Sequence, residues 1–507
     1  MRQRNSRNIS VLLTLPLIAV MGVVSMGPAA SAASPGPGDP TPGGAKGPLA
    51  LVQHLIDQVT PGDDAAHALP AAPDGHVDVT AMLSQLEAAL PKLHGDQRTQ
   101  AQQILARPTD GSGDYLGSGV FIHLDPSATK MVQTKHFVIH YVSSGTNGAT
   151  RAQVNRTASV MEHVWKTEVG HLGFHAPKSD ANVSSKQNIN KKVDIYLGNL
   201  GQYRIYGYCA ADNYNAATSS GYCVLDNNFS AAKFGYRTSP LNSLRVTAAH
   251  EFFHDIQYSY HANLQGWPWF AEGTAVWMED RVYNSVNDYL QYVPVSPIRR
   301  PLVPFVNTGS YARYGSFVAF KFFTSRFHDP TFVRKLWTRV GSGHTPMAAI
   351  KSVLASHKSS LPRAMRDFGV WNTLRAHTYP ERLSYKPVGW WHNRTLSKSH
   401  PGTGRYSVKI KPLATAPLRL KPSSHLGKSV RVVIRVDGPA RRYAPAAQIQ
   451  IRKRNGSVAT RYFTLAANGN GVHRYHFNPH KVSSIVLTLT NAEQGKRRTF
   501  RVNAYLK

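Results

Sequence analysis

The spacing of apolar positions along this chain changes character three times. Between residues 131 and 230 the apolar positions fall in short runs. Residues 132–142 (VQTKHFVIHYV), 192–197 (KVDIYL) and 222–229 (YCVLDNNF) read as strands, the first by its alternation of apolar and polar side chains. Residues 149–171 lie between the first two and repeat at helical spacing, with Val154, Ala158, Met161, Val164 and Trp165 on one face. From 242 to 376 the helical period dominates. It predicts helices over 242–260, 269–284, 313–327, 331–340 and 346–376, with Pro268 placed for a first helical position. From 403 onward alternation returns at 430–436, 447–452, 459–465, 484–490 and 499–506, with turns such as Asn468-Gly469-Asn470-Gly471 between the runs. This order predicts an α+β fold: a mixed sheet, then a helical subdomain, then an all-β sandwich of about 100 residues.

Upstream of residue 121 the pattern is different. Arg2, Arg4 and Arg7 precede an apolar stretch over 11–27, and Ala30-Ser31-Ala32 offers small residues for cleavage. Residues 1–32 therefore read as an export signal, and the mature chain as secreted, with no later stretch apolar enough to cross a bilayer. Residues 34–48 are too rich in Pro and Gly to fold, and short helical patterns follow at 79–90 and 97–107. The expected organisation is a signal peptide (1–32), a linker and helical pro-segment (33–120), a catalytic domain (121–398) and a basic β-sandwich (399–507).

Charge sharpens the picture at the C-terminal end. The net charge is +31, and residues 401–507 alone carry +19, with Asp437 and Glu493 their only acids. Such a field draws polyanions, for example acidic cell-wall or surface polymers. No nucleic-acid-binding signature accompanies it. The only two cysteines, Cys209 and Cys223, form an even pair, which in an exported protein predicts a disulfide.

The candidate chemistry lies in residues 250–254, His-Glu-Phe-Phe-His. On a helix, two His four apart share a face, so His250 and His254 can hold one metal ion, with Glu251 at the edge of that face. Zinc bound in this way lowers the pKa of a water to about 7, and Glu251 can take that water's proton. A catalytic zinc site needs a third protein ligand and leaves one position open. Gln257 and Tyr260 stand where a longer metzincin motif would place Gly and His. His261 lies too far along the helix and reads as a helix-end residue. Glu272 is the best third ligand. It sits one turn into the next helix, and Gly273 beside it allows close packing. Glu279, about 10 Å farther along, reads as a supporting or surface acid. Tyr314 is the candidate donor to a developing oxyanion, with Tyr311 the alternative. Asp255 reads as a solvated helix-face acid. Trp267, Trp269 and Trp277 read as core. Calcium at Asp212 and Asp226 is conceivable, but their spacing does not demand it.

The helix VTAAHEFFHDIQY followed by WFAEGTAVWMED resembles the gluzincins, over roughly residues 125–390. The resemblance implies a secreted zinc endopeptidase of zincin-like fold acting on protein or peptide substrates. By it His250, His254 and Glu272 would be zinc ligands and Glu251 the general base. It also implies that the strand before the metal helix, near 222–229, lies along the cleft and pairs with extended substrate. One departure is the 17-residue gap between His254 and Glu272, which is shorter than in the best-known members. A zinc hydrolase of cell-wall peptide amides and a non-catalytic surface-binding protein are the rival readings. A further alternative is that residues 33–120 act as an attached inhibitor.

Overall fold

The computed structural model describes residues 79–110, 122–181, 183, 191–201, 205–234, 238–309, 311–374, 378–379, 381, 385 and 388–507. The expected export signal and Pro/Gly-rich linker lie outside them.

Five strands form a mixed sheet: β1 (Lys130–Gln133), β2 (Phe137–Tyr141), β3 (Val193–Gly198), β4 (Gly207–Ala211) and β5 (Gly221–Asp226), in the order β1-β2-β3-β5-β4. β2, β3 and β5 run parallel, and β1 and β4 pair antiparallel at the two edges. The run at 132–142 is a hairpin rather than one strand. Thr134 turns the chain, its N–H donating to the Phe137 carbonyl and its hydroxyl accepting from Phe137 N (3.0 Å). β4 is the strand that the sequence pattern hides. Gly-Tyr-Cys-Ala-Ala has small residues where strands favour branched ones, and its place is fixed by pairing to β5. The predicted disulfide is present, joining Cys209 to Cys223 directly across that pair.

The two faces of the sheet are covered by different parts of the chain. One face packs against α3 (Arg151–Trp165) and α4 (Pro240–Tyr260), through Ile139, Ile195, Leu197, Leu225, Val154, Met161, Leu244 and Phe252. The other carries Tyr196, Tyr208, Ala210, Tyr222 and Val224. It is covered by α1 (Val79–Ala89) and α2 (Gly95–Leu105), which present Val79, Leu83, Leu86, Ala101 and Ile104 at helical spacing.

After α4 the chain continues into α5 (Pro268–Val282), two 3₁₀ segments (Asp288–Val295 and Tyr311–Ser316), and helices α6 (Phe317–Arg326), α7 (Phe332–Gly341), α8 (Pro346–Ser356) and α9 (Leu361–Thr373). The single helix expected over 346–376 is two. Lys358 adopts a left-handed conformation (φ 51°), and Pro362, with no N–H to donate, belongs to the first turn of a new helix.

Two sheets form the C-terminal all-β region. One, in the order β11-β10-β13-β8-β6, comprises β6 (His392–Leu396), β8 (Ala414–Pro422), β10 (Pro445–Lys453), β11 (Val458–Tyr462) and β13 (Val482–Asn491). The other, in the order β12-β9-β14-β7, comprises β7 (Gly402–Ile410), β9 (Arg431–Asp437), β12 (Asn470–His476) and β14 (Arg498–Leu506). All pairs are antiparallel except β6 with β8. Leu418, Ile434, Ile449, Leu487 and Phe500 fill the space between the sheets. Helix α9 docks on the first sheet, where Gln450 Nε2 donates to the Val370 carbonyl (3.0 Å) and the Thr373 hydroxyl (2.7 Å).

Candidate metal centre

Helix α4 begins at a Ser239 cap, whose hydroxyl accepts from Asn242 N (3.3 Å), followed by Pro240 in the first turn. It is buried along nearly its whole length, so the two His are held in the interior rather than on a wet face. Their rings lie 5.0 Å apart on successive turns. At His261 the backbone becomes extended, a short loop follows, and Pro268 starts α5. Helix α5 packs back against α4 and brings Glu272 to the His pair. The same Glu272 oxygen, Oε2, lies 3.2 Å from His250 Nε2 and 3.5 Å from His254 Nε2. One donor atom from each of the three residues falls within 4.8 Å of the others.

The outer nitrogens of both rings are held from behind. Glu279 Oε1 is 2.8 Å from His250 Nδ1. Gln257 Oε1 is 2.9 Å from His254 Nδ1, and Gln257 Nε2 donates to the Ala271 carbonyl (3.0 Å) and the Thr274 hydroxyl (3.2 Å). Those donations fix which end of the amide faces His254, and therefore put the proton on Nδ1. Each imidazole then points Nε2 inward, as a ligating histidine does when its other nitrogen is hydrogen-bonded. Glu279, one of the two roles expected for it, is thus a buried support. Gln257 is the support that the sequence reading missed, although its position one turn after His254 was the available signal.

Electrostatics agree with this geometry. Burial would raise the Glu272 carboxyl, but the two His outweigh it and hold Glu272 well below the usual range. Burial would lower His250, but hydrogen bonds to Glu272 and Glu279 raise it well above its ordinary value. His254 is raised by Glu272 against the same opposing burial. Glu279 is pushed up to about 7 by burial, partly offset by His250. The chain thus gathers two carboxylates and two imidazoles in its interior, and among the described residues no Lys or Arg lines the cavity.

Glu251 lines the same cavity as His250, His254, Glu272 and Glu279. β4 approaches it closely: a Cβ on Gly207 would stand 3.0 Å from Glu251 Cγ and 3.0 Å from Thr247 Cγ2. The disulfide braces the same point, its sulfurs 2.9 and 3.7 Å from the Glu251 carbonyl oxygen. Tyr314 also lines the cavity, its ring stacked 6.0 Å from that of His250. Gly273 makes this possible, since a Cβ there would meet Ser316 and Phe320 at 2.9 and 2.8 Å. Tyr311 lies one cavity away and donates to the Gln291 carbonyl (3.4 Å).

Several sequence expectations change. β5 is hydrogen-bonded on both sides, so the strand near 222–229 has no free edge for a substrate. The edge beside the metal centre is β4. Asp255 is fully buried, not solvated, and burial raises its carboxyl well above the ordinary value. Asp212 binds Arg107 through Nε and Nη2 (2.9 Å each). Asp226 accepts from backbone N–H groups of Gly201, Asn228 and Phe229 (2.5–3.0 Å), so neither is arranged for calcium. His261 stacks on Trp267 (4.8 Å), away from the three donors. Trp269 and Trp277 are core, as expected.

Residues 121–374 match the model of a family described as a family of unknown function, DUF6055. The chain belongs to that family. The match spans the mixed sheet and helices α3 to α9, with His250, His254 and Glu272 included, and leaves out α1, α2 and the all-β region. No curated protein matches the chain.

Proposed function

We propose that the protein is a secreted zinc-dependent peptidase of the gluzincin type, cleaving peptide bonds in protein or peptide substrates. The observation that carries this reading is the convergence of His250 Nε2, His254 Nε2 and a Glu272 oxygen, with Glu251 on the same cavity. Ligands about 2.0–2.1 Å from a tetrahedral zinc stand about 3.3–3.5 Å from one another. The 3.2 and 3.5 Å separations of the Glu272 oxygen from the two nitrogens fit that ion. A bound zinc would act as a Lewis acid on a carbonyl and lower the pKa of a water to about 7.

The chain's own groups supply the rest. The Glu251 carboxylate receives a proton from the attacking water and returns it to the departing amine. Tyr314, which lines the same cavity, would donate its hydroxyl to the oxygen on which charge develops. Glu279 and Gln257 keep both imidazoles in the ligating orientation.

A second role is favoured by the all-β region. The outward face of its four-stranded sheet gathers Arg405, Lys409, Arg431, Arg435, Arg474 and Arg501, with Asp437 beside them. That surface suits an anionic wall or surface polymer, and would hold the enzyme near its substrate.

The test is zinc content per chain together with hydrolysis of unstructured casein. Wild type should carry about one zinc, and Glu251→Gln should keep it while losing about 10²–10⁴-fold in turnover. A well-folded wild-type protein that takes up no zinc would sink the reading.

A further inference from the structure

The metal cavity is the narrow middle of a longer groove. The residues of α4 that line it advance one turn at a time: Asn242 on one side, then Val246 and His250, then His254, then Tyr258 on the other. From Asn242 to Tyr258 the helix rises sixteen steps, so the groove is about 24 Å long. The flanking cavities measure about 600 and 250 Å³, yet the one at the three metal-binding residues measures only about 40 Å³. The groove is therefore tightest at the point where the chemistry would take place.

Part of its wall comes from α1. Val79 and Thr80 line the metal cavity, and Thr80, Ser84 and Gln85 line the 250 Å³ cavity beside it. The Thr80 hydroxyl accepts a hydrogen bond from Cys209 N (3.1 Å), which is an outward-facing N–H of the edge strand β4. Glu87 Oε1 accepts from Tyr214 N (2.9 Å), just beyond the same strand. An extended peptide pairing with that edge needs the same donors.

The helix is anchored well away from the cleft. Leu83 and Leu86 are fully buried against the sheet face that carries Tyr208, Tyr222 and Val224. Arg107, just after α2, is buried among Asp180, Asp194 and Asp212 and pairs with all three. Yet α1 and α2 lie outside the part of the chain that matches the family.

We propose that residues 79–110 form an intramolecular inhibitor, docked on β4 and the outer sheet face so that the first turn of α1 closes the metal cleft to substrate until the segment is displaced. The proposal rests on the peptidase reading of the site.

The test uses the full, zinc-loaded chain and three readouts: rate of zinc removal by excess phenanthroline, hydrolysis of unstructured casein, and amide exchange over 79–89. Leu83→Asp/Leu86→Asp should lose protection in α1, release zinc at least 10-fold faster and cleave casein at least 10-fold faster than wild type. Thr80→Ala, which removes only one hydroxyl, should move the same readouts about 2- to 5-fold, and it decides the matter if the double variant does not fold. Unchanged zinc release and unchanged hydrolysis in a variant whose α1 amides exchange freely would overturn the proposal. For Thr80→Ala, unchanged rates in both readouts would do the same. Faster zinc release without hydrolysis in any form would leave the occlusion standing and remove the peptidase reading instead.

Discussion

Two buried clusters of charge lie on either side of the β4–β5 pair, and they are built on opposite logic. In one, Arg107 reaches Asp180 (3.3 Å), Asp194 and Asp212 (2.9 Å), and Asp194 also meets His140 Nε2 (2.8 Å). The chain brings its own cation to these carboxylates. In the other, His250, His254 and Glu272 converge with Glu279 behind His250, and among the described residues no Lys or Arg lines the cavity. One donor atom each of His250, His254 and Glu272 lies at ligand spacing, and the outward nitrogens of both rings are hydrogen-bonded. A cluster that carries its own counter-ion is a structural device. A cluster with three potential ligand atoms facing one point, and supports behind them, is the kind that we propose takes its cation from outside.

This comparison can be broken or sharpened by experiment. Glu272→Ala should abolish zinc binding and with it peptide hydrolysis, while costing the metal-free protein less stability than the loss of Arg107 does. Zinc content and urea unfolding measure both. Arg107→Met should do the reverse. It leaves buried carboxylates without their cation, so we expect a loss of about 3–5 kcal/mol in unfolding free energy, with about one zinc per chain retained wherever the protein is folded. Should Arg107→Met lose zinc as readily as Glu272→Ala, the two clusters are not separate. Glu279→Gln should weaken zinc affinity about 10- to 100-fold, as expected for a residue that orients a ligand, and competition with a chromogenic chelator would read it.

The smallest effect concerns Glu168. It is fully buried, with neither carboxylate oxygen hydrogen-bonded among the described residues, and burial raises it well above the ordinary value. In the unfolded chain Glu168 ionises near pH 4.3, whereas in the fold it stays protonated to a much higher pH. The fold therefore loses stability as pH rises from about 4 towards the raised value. Glu168→Met removes that loss. It should be close to neutral at pH 4 and stabilising by about 1–3 kcal/mol at pH 8. Thermal melts across that range give the sign directly.

Much of the candidate metal centre was legible in the chain. The spacing of His250 and His254 requires a shared helical face, and Pro268 one turn before Glu272 fixes where the second helix begins. The disulfide followed from having only two cysteines in a chain with an export-like start. Other features were not legible, for identifiable reasons. β4 is made of small residues, so nothing in its composition separates it from a loop until β5 is there to pair with it. Asp255 is an acid on a helix, which sequence alone assigns to solvent, and its burial comes from packing under the β4–β5 pair, where its Oδ1 would lie 2.8 Å from a Cβ on Gly221. The breadth of buried surface on α4 has the same origin. The helix is covered on several sides, which an amphipathic pattern cannot express.

The sequence by itself determined the order of elements, the two-helix metal motif and the strong positive charge of the C-terminal region. These depend on period, spacing and composition, which are local properties. Only the tertiary structure decided which strand forms the edge beside the centre, that Glu279 and Gln257 hold the two imidazoles, and that the first turn of α1 enters the cleft. Each of those depends on groups far apart in the chain meeting within hydrogen-bond distance. No periodicity encodes such a meeting, because it is fixed by how the helices and the sheet pack.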